Sequence, residues 1–308
     1  MNYFDCHTDA LTEISDDETL LSNGRDFDLT RVGAFAESYA QIFALWEDVA
    51  RFPPEETDER FMACYQRAMG LLRDQSERVS LVRSAAEMHA ALEEGLGAAF
   101  LSIEDVSFMG GHVDSLYELG FRFAMLCWNH DNRYACGAAC DQRRGLTEEG
   151  RALVRSLDER GVVLDVSHLS DAGVEDLLGL VDGPVMASHS DVRDVAGRPR
   201  NLARWQVDEI VRRDGLIGLN FFAPFVGGDG LPTLDDLLRH ADYVLEAGGE
   251  DVLALGADFD GSQGLFPEGV VGVQSMPDVR ARFVSSLGEE LAEKIFFGNA
   301  VSFVDRVL

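Results

Sequence analysis

Short apolar runs recur along the chain and alternate with longer segments of helical periodicity. The runs lack the strict alternation of polar and apolar residues that half-exposed strands show, which is typical of parallel strands buried on both faces. The pattern therefore predicts a series of eight buried strands. The runs are Tyr3–Cys6, Ala40–Trp46, Ala98–Ile103, Phe121–Cys127, Val162–Val166, Pro184–Ala187, Leu216–Phe221 and Val252–Gly256.

Amphipathic helices with recognisable ends lie between most of these runs. Thr147 and two glutamates begin one helix and Gly161 ends it, Ser170 begins another, and a third covers about residues 57–72. Eight strand–helix units in 308 residues predict an α/β fold, a single catalytic (β/α)8 TIM-like barrel domain over residues 1–308. An open doubly wound sheet fits less well, because no GxGxxG motif follows the first strand.

The charge of the chain narrows the function classes. The sequence has 26 basic and 55 acidic residues, a formal net charge of −29, and Lys294 is its single lysine. Lys294 lies in AEKIFFGN, so the chemistry of Schiff-base aldolases, pyridoxal-phosphate enzymes and Walker-type nucleotidases is excluded. The negative charge argues against a nucleic-acid partner. Codon bias with a solvated acidic surface explains the excess of acidic residues, and a salt-adapted source is the alternative.

No segment of the sequence reads as a membrane address. The N-terminal MNYFDCHTDA lacks the basic and apolar regions of a signal peptide, and no uncharged apolar run approaches the length of a membrane span. We therefore expect a cytoplasmic protein with no membrane partner. The five cysteines are expected to be reduced, although Cys136 and Cys140 could form a metal clip or a local disulfide.

Charged and imidazole side chains follow the apolar runs at the points where the predicted strands end. In a (β/α)8 barrel these ends meet at one rim, where active sites form. Single examples carry little weight, because a lone histidine or a turn aspartate is often structural. Together, six nitrogen and oxygen ligands without a nearby lysine predict a site for two Zn²⁺ ions. The six residues are His7, Asp9, Glu104, His168, His189 and Asp258.

Longer matches around these residues resemble the membrane (renal) dipeptidase family, within the amidohydrolase-like metal-dependent hydrolases. The segments occur in the family order from residue 5 to about residue 303. They are DCHTDAL, AAFLSIED, LGFRFAMLCWNHDN, GLTEEGRALVRSLDERGVVLDVSHLS, PVMASHS, GRPRNL, GLIGLNFF, LALGADFDG and FGNAVSF. The resemblance implies that His7 and Asp9 bind one zinc, that Glu104 bridges both, and that His168 and His189 bind the second.

The resemblance also implies a mechanism and a substrate side. A hydroxide that bridges the two metals attacks the peptide carbonyl, and Asp258 transfers a proton from the water to the leaving amine. Arg200 corresponds to the arginine that holds the substrate carboxylate, and Asn132 falls on a family asparagine. Without the resemblance, Arg200 would be taken for a surface ion-pair residue. A homodimer is a further tendency of the family.

Departures from the family pattern fall on the substrate side. Trp128 stands where mammalian members carry a histidine, and Phe222 where a tyrosine aligns. Asp105 adds a carboxylate after Glu104 that would strengthen the negative field if it pointed to the rim. The favoured function is a zinc dipeptidase for small dipeptides. The alternatives are an amidohydrolase for another amide or lactam, such as an N-acyl amino acid or a β-lactam, and a metal-binding protein without catalysis, against which the retention of Asp258 argues.

Overall fold

One parallel sheet dominates the structure, a computed structural model that describes residues 1–15, 18–227 and 230–308. In these residues the sheet contains nine strands, all paired in parallel. They are β1 (Asn2–Thr8), β2 (Ser38–Leu45), β3 (Val79–Leu81), β4 (Gly97–Glu104), β5 (Phe121–Met125), β6 (Val163–Asp165), β7 (Met186–Ala187), β8 (Leu216–Leu219) and β9 (Leu253–Leu255).

Eight of the strands close into a barrel. The hydrogen-bonded order is β1, β2, β4, β5, β6, β7, β8 and β9, and β9 pairs back to β1 at Asp5 and Leu255. The remaining strand, β3, lies beside the beginning of β4, with Val79 opposite Gly97. The predicted (β/α)8 barrel is therefore confirmed, and the open doubly wound alternative is wrong.

Helices connect the strands around the outside of the sheet. They are α1 (Ala10–Glu13), α2 (Leu29–Gly33), α3 (Thr57–Asp74), α4 (Ala85–Glu93), α5 (Glu148–Glu159), α6 (Asp171–Leu178), α7 (Arg204–Arg212), α8 (Ala223–Val226), α9 (Leu234–Glu246), α10 (Met276–Leu287), α11 (Glu289–Glu293) and α12 (Asn299–Val307). Short 3₁₀ segments occur at Val49–Arg51, Pro54–Glu56, Val106–Ser115 and Val273–Ser275, and a π-helical turn at Lys294–Gly298.

The helix ends predicted from the sequence are formed by the expected side chains. The Thr147 hydroxyl accepts a hydrogen bond from the Gly150 N–H at 3.0 Å, and the Ser170 hydroxyl accepts one from the Gly173 N–H at 3.0 Å. Gly161 follows α5 with φ +76°, a left-handed conformation that glycine adopts without steric cost. These caps fix where α5 and α6 begin and end relative to β6.

Alternate residues of the barrel strands pack into two separate apolar clusters. In β4, Ala99 and Leu101 join the larger cluster, whereas Ala98 and Phe100 join the smaller one together with Phe303 of α12. Both faces of the strands are therefore buried, which is why each strand appears in the sequence as a mainly apolar run without strict alternation. The polar side chains at the carboxyl ends of the strands can therefore be distinguished in the sequence from the mainly apolar strand residues.

Two features outside the barrel wall bear on the sequence predictions. The Nζ of Lys294 donates hydrogen bonds to the carboxylates of Glu250 at 2.6 Å and Asp251 at 2.8 Å on the protein surface. The single lysine is therefore used in a surface ion pair. Across the described residues, none of the helices has both the length and the apolar character that crossing a membrane requires.

Candidate active site

Five side chains meet at the carboxyl end of the barrel because the strands that carry them end there. His7 lies near the end of β1, and Glu104 is the last residue of β4. His168 follows β6 by three residues, His189 follows β7 by two, and Asp258 follows β9 by three. The closure of the barrel brings these distant positions of the chain to one rim.

Glu104 lies at the centre of the cluster, close to three histidines. Its Oε2 lies 3.2 Å from Nε2 of His7, and its Oε1 lies 2.8 Å from Nε2 of His168 and 3.8 Å from Nε2 of His189. The side chain of Glu104 is buried, so its charge is shielded from solvent. One carboxylate thus contacts imidazoles from three different strands.

Two groups of potential metal ligands overlap at His7. One comprises His7, Glu104 and His189, and the other His7, Asp9 and Asp258, each with its ligand atoms within 4.8 Å of one another. Nε2 of His7 is 3.7 Å from Oδ2 of Asp9 and 3.9 Å from Oδ1 of Asp258. The sequence predicted these residues as one site, and the structure brings them together.

Several polar atoms in the cluster are buried without a hydrogen bond, which is costly unless a cation compensates for it. They include both ring nitrogens of His7 and Oδ1 of Asp9. The Nε2 atoms of His168 and His189 face each other at 2.8 Å. Neutral imidazole nitrogens and carboxylate oxygens are the ligands that Zn²⁺ prefers, so the residues fit a metal centre.

The histidines of the cluster differ in the direction in which their pKa is shifted. Burial and the nearby Arg200 lower the pKa of His168 to about 4, and burial with the nearby His7 lowers the pKa of His189 well below its ordinary value. For His7, burial acts in the opposite direction to the adjacent Glu104 and Asp9, and the carboxylates raise its pKa well above 6.5. His168 and His189 are therefore neutral at pH 7, the state in which imidazole binds metals.

The backbone at the rim adopts conformations that are rare for residues other than glycine. His168 has φ +70° and Asp258 has φ +60°. The N–H of Ala138 donates to the carbonyl of His168 at 2.7 Å, and the N–H of Asp258 donates to the carbonyl of His7 at 3.2 Å. Such strained backbone concentrates at functional sites, where surrounding contacts hold it in place.

Asp260 is a further carboxylate at this rim and is partly buried. Its Oδ1 accepts a hydrogen bond from the N–H of Asp26 at 2.9 Å, while Oδ2 is buried without a hydrogen bond. Burial raises the pKa of Asp260 from 3.8 to about 7. The folded protein therefore keeps a proton on Asp260 at pH values where the unfolded chain has released it.

This difference predicts a pH dependence of stability in the metal-free protein. Asp260 stabilises the fold below pH 4, and we expect the free energy of unfolding to fall as the pH rises from about 4 to about 7. Asp260→Asn should reduce that fall and make the protein more stable than wild type at about pH 8. Urea unfolding of the metal-free wild type and of metal-free Asp260→Asn between about pH 4 and about pH 8 measures the free energy of unfolding. If it changes with pH in parallel for the two proteins, the prediction is wrong.

A cavity of about 400 Å³ opens above the cluster. Carboxylates and imidazoles of the cluster line one part of it, and aromatic rings line another. The rings of Trp46 and Trp128 lie 4.8 Å apart, as do those of Phe222 and Phe225. The cavity therefore combines a charged floor with two pairs of aromatic side chains.

Two of these aromatic residues were expected from the sequence and two were not. Trp128 and Phe222, which the sequence analysis assigned to the substrate side, both line the cavity. Trp46 and Phe225 were missed. Trp46 ends the second apolar run directly after β2, so its position at a strand end was the signal available in the sequence.

Arg200 lies behind the cluster and is almost completely buried. Its Nη1 donates to the hydroxyl of Ser190 at 2.6 Å and its Nη2 to the carbonyl of His189 at 2.9 Å, while Nε is buried without a partner. The guanidinium carbon is 5.8 Å from the ring centre of Phe225, which lines the cavity. Arg200 is thus a buried residue near the site, and the surface ion-pair interpretation is wrong.

Asn132 forms hydrogen bonds within its own loop and with Asp105 of the preceding loop. Its Nδ2 donates to Asp105 Oδ1 and to the carbonyl of Leu126, both at 2.7 Å. Its Oδ1 accepts from the N–H groups of Tyr134 at 2.7 Å and Ala135 at 2.9 Å. The asparagine that lines the cavity is Asn129, which the sequence analysis did not single out.

Asp105 and the cysteine pair take no part in the metal cluster. The Asp105 carboxylate accepts from the N–H of Ser107 at 2.8 Å and from that of Trp128 at 3.2 Å, so it anchors the loops and does not reinforce the rim. Cys136 and Cys140 are both free thiols, so the disulfide alternative is wrong. The residues that line the described cavity do not include these cysteines.

Comparisons with known proteins identify the family of the chain. The sequence model of the membrane dipeptidase family, peptidase family M19, matches residues 1–307. An uncharacterised protein in the pqqA 5′ region of Klebsiella pneumoniae is 30% identical over 62% of this chain and 75% of its own length. An uncharacterised dipeptidase of Schizosaccharomyces pombe is 29% identical over 59% of this chain, but the match covers only 46% of that relative.

Solved structures give the same result over the whole chain. A crystal structure of a metallo peptidase from Rhodobacter sphaeroides, liganded with a phosphinate mimic of the dipeptide L-Ala-D-Ala, superposes with a TM-score of 0.91. It is 25% identical in sequence, and the match covers 100% of this chain and 99% of that one. The chain therefore belongs to the membrane dipeptidase family, peptidase family M19.

Proposed function

We propose that this protein is a zinc-dependent dipeptidase that hydrolyses small dipeptides, with residues 1–308 as one catalytic domain. The observation that carries the proposal is the convergence of His7, Glu104 and His189 with Asp9 and Asp258 beneath the cavity. The dipeptide mimic bound to the Rhodobacter sphaeroides relative supports the substrate class.

The assignment of the metal ligands follows the family resemblance, and the contact of His168 with Glu104 at 2.8 Å supports adding His168 to the two groups of potential ligands. We propose that His7 and Asp9 hold one Zn²⁺, that His168 and His189 hold a second, and that Glu104 lies between them. When bound, the two ions would lower the pKa of a water molecule, so that hydroxide is available near pH 7, and would polarise the peptide carbonyl.

Asp258 is the proposed proton-transfer group at this centre. Its Oδ2 accepts a weak hydrogen bond from Nδ2 of Asn220 at 3.4 Å, which leaves Oδ1 towards His7 and the cavity. Burial raises its pKa to about 6, so the metal-free carboxylate is close to the balance between acid and base. We propose that it accepts the proton of the attacking water and delivers it to the leaving amine.

Three further residues are proposed to interact with the substrate. We propose that Arg200 attracts the substrate carboxylate. Its guanidinium is positively charged and buried, and its Nε–H has no hydrogen-bond acceptor within the protein. The rings of Trp128 and Phe222 would contact the substrate side chains. In this assignment, hydrolysis takes place at the charged floor of the cavity, and the aromatic walls contact the substrate side chains.

The aromatic walls favour one alternative. Because Trp128 and Phe222 add apolar surface where mammalian relatives carry polar groups, a related amide such as an N-acyl amino acid or a β-lactam is the second candidate substrate. Both candidates use the same metal centre. They differ in whether the substrate has a free amino group, so activity on matched free and N-acylated substrates separates them.

Metal analysis combined with a substrate panel tests the proposal. We expect two Zn²⁺ per chain, cleavage of a range of dipeptides by the zinc-loaded protein, loss of activity with a chelator, and recovery when Zn²⁺ is restored. The same panel includes N-acyl amino acids and β-lactams. A zinc-loaded protein that cleaves only these would support the alternative, and one that cleaves nothing would exclude both.

A further inference from the structure

Asn129 contacts the metal cluster from outside. It directly follows Trp128 in the loop after β5 and lines the cavity. Its Oδ1 lies 2.9 Å from Nδ1 of His168. An amide oxygen is only an acceptor, so Nδ1 of His168 carries the proton in this contact and Nε2 keeps its lone pair. That Nε2 faces Glu104 Oε1 at 2.8 Å, in the middle of the ligand cluster.

The loop holds Asn129 and His168 together through the main chain as well. The N–H of Ala139 donates to the carbonyl of Asn129 at 3.0 Å, and the N–H of the preceding Ala138 donates to the carbonyl of His168 at 2.7 Å. Gly137 packs directly on Asn129, where an added Cβ would lie 2.3 Å from the carbonyl carbon. The main chains of Asn129 and His168 are therefore both held by the segment 137–139.

The other end of the Asn129 amide remains available. Within the described residues its Nδ2 makes no hydrogen bond, and the side chain is partly exposed at the cavity. Asn132, in the same loop, uses both ends of its amide in hydrogen bonds to this loop and to Asp105 of the preceding loop. His189 is oriented differently, by the hydroxyl of Ser188 at 2.8 Å from its Nδ1. Asn129 is thus a residue that can reach both a ligand and the substrate.

We propose that Asn129 is a positioning residue with two functions: its Oδ1 orients His168 for metal binding, and its Nδ2 donates a hydrogen bond to an oxygen of the substrate. The first function is the role that acceptors beside metal-bound histidines commonly have. The second rests on the proposed function, because it requires a substrate with carbonyl or carboxylate oxygens in the cavity.

Two substitutions separate the two functions. Asn129→Asp keeps an acceptor for His168 but removes the donor and adds a negative charge, whereas Asn129→Leu removes both. We expect the Leu variant to lose about 10–100-fold in Zn²⁺ affinity. The Asp variant should bind Zn²⁺ at least as tightly as wild type but show a raised KM. Competition with a chromophoric chelator measures Zn²⁺ affinity alone, and steady-state kinetics on a dipeptide measure kcat and KM.

Asn132→Leu is the matched control, because it disrupts the same loop without touching a ligand. It should leave Zn²⁺ affinity unchanged at temperatures below its own unfolding midpoint. If it lowers affinity as much as Asn129→Leu, loop integrity and not the contact with His168 is responsible, and the first function is wrong. An unchanged KM in Asn129→Asp would overturn the second. If wild type binds Zn²⁺ but cleaves no dipeptide, the proposed function fails while the affinity measurements still decide the first function.

Discussion

Replacing Asp258 by asparagine is expected to lower kcat by about 10²–10⁴-fold, the range typical of lost general acid–base catalysis. The substitution preserves the shape of the side chain, but an amide cannot accept a proton from water. Oδ1 of Asp258 is 3.9 Å from Nε2 of His7, so the carboxylate lies beside the ligand cluster. Steady-state kinetics and metal analysis on the same preparation test whether turnover falls while the Zn²⁺ content stays that of wild type.

Asp260→Asn is the matched control, because Asp260 also lines the cavity and differs from Asp258 by two positions. We expect it to retain most of the wild-type kcat. If Asp258→Asn remains active and Asp260→Asn does not, the base is Asp260. If Asp258→Asn loses Zn²⁺ together with turnover, Asp258 is a metal ligand, as its membership of the second ligand group would allow.

The barrel could be predicted from the sequence because its strands are buried on both faces. Residues such as Ala98 and Ala99 pack into different clusters although they are adjacent, so both faces of the strand favour apolar residues. β3 was missed because its three residues, Val79–Leu81, contain a serine and are only partly buried. A short strand beside the barrel has no pattern that separates it from a loop.

The metal cluster could be predicted for a related reason. A charged side chain at the end of an apolar run lies at the carboxyl rim of the barrel, since all the parallel strands end there. Glu104 and His189 are 85 positions apart in the numbering, yet their side chains lie 3.8 Å apart. Once the barrel topology is inferred, residues that follow different strands can therefore be predicted to lie close together.

The substrate side could not be predicted in the same way, because loops position its residues. Asn129 and Asn132 are the same residue type in one loop, and the difference between them depends on contacts with Ala139 and Tyr134 that no local pattern reveals. The direction of the Asp105 carboxylate depends on its contacts with the N–H groups of Ser107 and Trp128. The burial of Arg200 likewise depends on where its loop packs.

Glu104→Gln is expected to have the second large effect, the loss of metal binding. The Glu104 carboxylate contacts His7 on one side and His168 on the other, at 3.2 and 2.8 Å. The nearby His7 and His168 lower its pKa, so it is ionised at pH 7. A glutamine keeps the volume but removes the negative charge, and its amide N–H groups would face the ligands where a cation belongs.

The expected fall in Zn²⁺ affinity exceeds the about 10–100-fold that residues outside the ligand sphere contribute, and turnover should fall with it. Glu13→Gln provides the control, since Glu13 lines the same cavity and its side chain is 42% exposed. That variant changes the charge of the cavity by the same amount without altering a ligand. Equal Zn²⁺ affinities for the two variants would mean that the cavity binds cations through its overall charge. A large loss confined to Glu104→Gln would assign the binding to the cluster itself.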